Sequence, residues 1–99
     1  MQFTQLNDDY KYDVLAEQMY AREVEWFHYD LDVKNFQRML DSNDPGINRE
    51  YFQQRIAETQ SQMAIVESVY NALKVQITDA DKYSAACARA AQKRASASA

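Results

Sequence analysis

Ninety-nine residues suffice for one domain, and a composition 46% hydrophobic, 26% charged and 12% aromatic belongs to a folded chain rather than a disordered one. One glycine and one proline are too few for the repeated tight turns of a β-sandwich, barrel or meander, so the expected class is all-α. A formal net charge of -4 disfavours direct contact with nucleic-acid phosphates, and no run approaches the ~18 apolar residues of a membrane span, so neither partner is expected.

The first predicted element is a helix over about 8–41, because no glycine or proline interrupts that stretch and Asn7, Asp8 and Asp9 supply capping groups and negative charge at its start. Tyr12, Leu15, Met19, Trp26, Tyr29, Val33, Phe36 and Leu40 recur at alternating steps of three and four, with Arg22 as the exception, and form a heptad seam. A second set, Tyr20, Val24, Phe27 and Leu31, keeps the same spacing. At about 100° per residue its centre lies roughly 150° around the helix from the seam. The helix therefore has two apolar faces.

A turn over 42–47 follows, where Ser42-Asn43-Asp44-Pro45-Gly46 gathers the turn-forming residues. Helix 2 is expected over about 48–77, with Asn48 as N-cap and Ile47 and Phe52 placed for a hydrophobic staple; Asp44 with Pro45 at the first helical position is an alternative start. Phe52, Ile56, Thr59, Met63, Val66, Tyr70, Leu73 and Ile77 give this helix its own seam. At 1.5 Å per residue the two helices are roughly 50 and 43 Å long, and the short connection makes them an antiparallel, coiled-coil-like hairpin. Thr78-x-x-Asp81 reads as a capping box that starts an alanine-rich helix 3 over about 79–94. Arg89, Lys93 and Arg94 suit its C-terminus, and residues 95–99 are expected to fray. The whole chain, 1–99, is expected to be a single helical domain.

One hairpin seam leaves the second face of helix 1 in water, and the alanine-rich helix 3, with Tyr83 its one large apolar residue, is a poor cover for it. The expected solution is a homodimer forming a four-helix bundle, with Tyr20, Val24, Trp26, Phe27, Tyr29 and Leu31 as self-interface or partner interface. The charge is uneven as well. Residues 1–50 carry eleven acidic and five basic side chains, and residues 51–99 carry four and six. Such a field can steer a basic partner or orient two chains. The functional expectation is a non-enzymatic protein-interaction module, an adaptor, regulator or inhibitor acting on a protein partner through apolar helix faces and an acidic surface.

Catalytic signals are sparse. His28 has no nucleophile on a recognisable elbow, and Gly-rich phosphate loops, a Walker lysine and zinc spacings are absent. Cys87, the one cysteine, lies among alanines, which reads as packing and fits a reducing cytoplasm; the first residues show no export signal. No cofactor is expected. The alternative reading takes Glu25-x-x-His28 as half of a carboxylate-bridged di-iron site, with Glu58 or Glu67 as the bridging carboxylate and a second copy duplicating the set. Those residues flank the seam rather than lie on it.

Overall fold

The computed structural model describes residues 7–97, and all the regular structure among them is helical: α1 (Asp8–Asp41), α2 (Arg49–Lys74) and α3 (Ala80–Ala97). α1 packs against both α2 and α3. Each helix starts where a side chain can take up an unpaired backbone donor. Asn7 Oδ1 accepts the Tyr10 N–H at 2.7 Å, and Asn48 Oδ1 accepts the Tyr51 N–H at 3.1 Å. In the turn, Asp44 Oδ1 accepts the Gly46 N–H at 2.9 Å. Arg49, the first residue of α2, donates from Nη1 to the Leu40 carbonyl at 2.8 Å, so a cation closes the end of α1 where the helix dipole is negative.

Three boundaries differ from the sequence expectation. α2 ends at Lys74 rather than near 77, because its last turn tightens: the Gln76 and Ile77 N–H groups reach back only three residues, to Leu73 and Lys74. Val75 is left 73% exposed. α3 begins one residue later than the capping-box reading implies. Asp79, not Thr78, is the cap, its Oδ1 accepting the Lys82 N–H at 3.1 Å. The reason lies in α1, since the Tyr12 hydroxyl occupies Thr78. The far end of α3 runs three residues beyond Arg94, to Ala97; the expected fraying at 95–97 is replaced by helix, while 98–99 and the leading segment 1–6 lie outside the described residues.

The chain divides into two compact units. One comprises the chain up to Ala21 and from Asn71 onward. Its core gathers Tyr12, Ala16 and Ala86, with Leu15, Ile77, Tyr83 and Cys87 packed against it, and Met19 in the same unit is 2% exposed. Ala86, 0% exposed, has no side chain to hold two helix backbones apart, so alanine content is what lets α3 lie close on α1. α3 runs in the same direction as α1: Lys82 reaches Asp8, Arg89 reaches Asp13, and Arg94 lies over Tyr20.

The other unit is the hairpin Arg22–Tyr70. Phe36 meets Phe52 with ring centroids 6.1 Å apart, Trp26 Nε1 donates to Glu67 at 2.7 Å, and the Tyr70 hydroxyl donates to Glu23 at 3.2 Å, which sets an antiparallel register. Along α2 as a whole, the buried or half-buried residues are the seam positions Phe52, Ile56, Thr59, Met63, Val66, Tyr70 and Leu73. The remaining α2 residues are exposed. Thr59 enters the seam without an unpaired polar atom, because its hydroxyl donates to the Arg55 carbonyl one turn back at 2.7 Å.

Candidate interaction face

A seam between two helices can cover only one stripe of each. In the hairpin unit the second face of α1 is uncovered: Val24 is 37% exposed, Phe27 56% and Leu31 43%. Steps of three and four put these side chains side by side on the helix surface. Trp26 and Tyr29 lie on the seam instead and are half-buried, with the indole N–H held by Glu67. Tyr20 belongs to the α3-bearing unit, where the Arg94 guanidinium stands 3.6 Å from its ring centroid while the residue stays 42% exposed. The six residues singled out by spacing thus fall into three environments. Val24, Phe27 and Leu31 form an open apolar face, Trp26 and Tyr29 lie half-buried on the seam, and Tyr20 carries Arg94 on its ring.

The alternative metal constellation is not assembled in the chain. Glu25 pairs with Arg22 one turn away, Glu58 pairs with Arg55 at 3.1 Å and accepts from Gln54, and His28 is exposed. Glu67, level with Trp26, is engaged by the indole, and Glu58 lies nine residues from it along α2, about 13 Å at the helical rise. Among the described residues no group of three or more His, Cys, Asp or Glu side chains stands together as a metal site. Arg22, the charged residue of the seam, ties to Glu25 on its own helix rather than to a carboxylate of α2, and its Nε is buried without a partner.

Charge complementarity is used inside the chain. Lys82 Nζ lies 2.9 Å from Asp8 and Arg89 Nη2 lies 2.7 Å from Asp13, so the basic C-terminal stretch reads against the acidic start of α1. The hydrogen bond and charge of Lys82 hold the Asp8 carboxyl below its ordinary pKa, and Asp8 in turn raises Lys82 above its own. Part of the acidity in residues 1–50 is therefore compensated internally.

Sequence reasoning missed the device that anchors α3. The Tyr12 hydroxyl accepts the N–H groups of Thr78 at 3.2 Å and Asp79 at 2.9 Å and lies 3.1 Å from the Thr78 hydroxyl. The bond with that hydroxyl, and after it the two backbone donors, lower the phenol's pKa from its ordinary value. A seam tyrosine opposite a Thr-Asp helix start is the signal that could have found it. Beside this knot an open groove of about 440 Å³ is lined by Asp8, Lys11, Leu15, Leu73 and Gln76 among others. It holds no nucleophile paired with a base, and a smaller hollow of about 180 Å³ contains only the charged row Asp13, Glu17, Arg89 and Lys93 with Ala90. The chain matches no protein-family model, no curated protein and no solved structure.

Proposed function

We propose that the chain is a non-enzymatic helical interaction module that associates with a second copy of itself through the open face of α1, leaving its acidic flanks for a further protein partner in an adaptor, regulator or inhibitor role. The observation that carries this reading is the exposure of Val24, Phe27 and Leu31 on one face of a hairpin whose buried residues are only Thr59 and Val66 among those described. Burying a large apolar side chain is worth about 1.5 to 3 kcal/mol, so covering such a face in two copies supplies several kcal/mol toward association. A second hairpin is the simplest cover of matching length and pattern.

Light scattering over a tenfold concentration range tests it. The expected mass is about twice the 11.5 kDa of one chain, returning to one chain in Phe27→Asp with the helical circular dichroism retained. A wild-type chain that stays monomeric throughout the range would overturn the reading.

A further inference from the structure

The corner between α2 and α3 contains no residue that forbids a helix. From Ile47 onward the sequence has neither glycine nor proline, so Val75, Gln76, Ile77, Thr78 and Asp79 can each adopt helical dihedrals. Up to Ile77 the backbone N–H groups stay with the helix they extend. Val75 bonds Asn71 four residues back, and Gln76 and Ile77 bond Leu73 and Lys74 three residues back. Thr78 and Asp79 then donate to one atom, the Tyr12 hydroxyl oxygen, at 3.2 and 2.9 Å. In a continuous helix the same two donors would bond the Lys74 and Val75 carbonyls. The bend is therefore held from outside, by a phenolic oxygen and by Ile77 packed against the α1 core, and not by the backbone of the corner itself.

The contacts that hold α3 on α1 could equally be made between two copies. Ala86 packs beside Tyr12 and Ala16, Lys82 pairs with Asp8, Arg89 pairs with Asp13 and the Arg94 guanidinium covers the Tyr20 ring. The directions agree as well. The corner lies at the start of α1, where Thr78 meets Tyr12 and Lys82 meets Asp8. Straightening it carries α3 past that start and onto the α1 of a second copy placed head to head, again running from Asp8 toward Tyr20. We infer that the corner is a hinge latched by the Tyr12 hydroxyl, and that its open form is a domain-swapped dimer in which α2 and α3 join into one helix and α3 lies on the α1 of the second copy. Every contact between α1 and α3 is regained in that pair, so the cost of opening is confined to the two corners. The swap uses a surface separate from Val24, Phe27 and Leu31 and does not depend on association through them.

Full-length variants that all carry Phe27→Asp, which removes association through that other face, test the hinge. Tyr12→Phe takes away the acceptor that holds the bend. After refolding at about 1 mM, the effective concentration of a short tether, its mass by light scattering is expected to be about twice the 11.5 kDa of one chain. The dimerisation constant should rise roughly hundredfold over the chain with Tyr12 intact, about tenfold for each of the two corners. Adding Ala80→Pro is expected to abolish that dimer with helical circular dichroism retained. Ala80 is the first residue of α3, where proline is accommodated, whereas in a continuous helix its ring meets the Gln76 carbonyl. Backbone carbon shifts give a second readout: those of Gln76, Ile77, Thr78 and Asp79 are expected to become helical in the dimer, and they decide alone if Ala80→Pro does not fold. A Tyr12→Phe chain that stays monomeric, a dimer that survives Ala80→Pro, or non-helical shifts at the corner of the dimer would each overturn the hinge. None of these outcomes bears on association through Val24, Phe27 and Leu31.

Discussion

The two units are built from the same kind of sequence and reach different degrees of enclosure. Among the described residues, the α3-bearing unit holds four of the six buried side chains, Tyr12, Ala16, Met19 and Ala86, whereas the hairpin holds Thr59 and Val66. The hairpin leaves Val24, Phe27, Leu31, Met39, Tyr51, Ile65 and Val69 exposed. A third helix makes the difference. Two helices share a seam that water reaches from both sides, and a third closes one side, so that even alanines suffice to drive exposure to zero. Size of side chain matters less here than the number of walls around it.

That comparison can be broken at its strongest point first. Met19→Ala in the enclosed unit is expected to destabilise the chain by about 2 to 5 kcal/mol in a urea titration, the range for large-to-small changes at sites that cannot collapse. A loss no greater than that at an exposed methionine such as Met39 would refute the difference in enclosure. Tyr12→Phe is expected to destabilise by about 1 to 3 kcal/mol with the same readout, because it strips the Thr78 and Asp79 N–H groups of their acceptor; amide exchange at those two positions should accelerate while the hairpin is unchanged.

The hairpin should tolerate the converse experiment. Thr59→Val replaces a hydroxyl whose bond is confined to its own helix, so unfolding free energy is expected to stay within about 1 kcal/mol of the parent, shifted in the stabilising direction. A marked loss would mean that the Thr59 hydroxyl serves the other helix.

The smallest effect is electrostatic and belongs to the α3-bearing unit. Asp8 has its pKa lowered, so its contribution is present at neutral pH and lost as pH falls through the carboxylate range near about 4. Lys82 has its pKa raised, so its contribution is complete below the ordinary lysine range and lost as pH rises above about 10.5. The pair therefore ties the starts of α1 and α3 between those limits. An NMR titration of Lys82→Met should show the Asp8 carboxyl back at its ordinary value; an unmoved Asp8 would exclude the pairing as the cause.

Much of this was legible in the residues. The three-four spacing of the α2 seam named each of its covered positions, and the Asn48 cap follows from a side chain that bonds its own backbone, a local event. What escaped was non-local. Nothing within four residues of Thr78 announces that a tyrosine sixty-six positions earlier will take its N–H and move the cap to Asp79. Nor does an alanine run advertise close packing, because an alanine such as Ala86 contributes helix proximity rather than apolar bulk. The face of Val24, Phe27 and Leu31 was readable as a stripe, while the departure of Tyr20 from it depends on where Arg94 comes to rest. Glu25 and Glu58, each paired with an arginine one turn away on its own helix, show the converse: a short motif does not announce the ion pairs that take up its carboxylates.

The Tyr12 knot also bears on the order in which the chain acquires its structure. Its bonds link positions sixty-six and sixty-seven apart, a closure whose entropic penalty is large for an open chain and falls once the intervening residues have doubled back on themselves. The expected order is therefore the hairpin first, zipping outward from its turn, and the α3 anchor last. With that order, stabilisation gained at the knot is expected to appear as slower unfolding rather than faster folding, so that Tyr12→Phe should shorten the lifetime of the native chain in urea and leave its refolding rate unchanged.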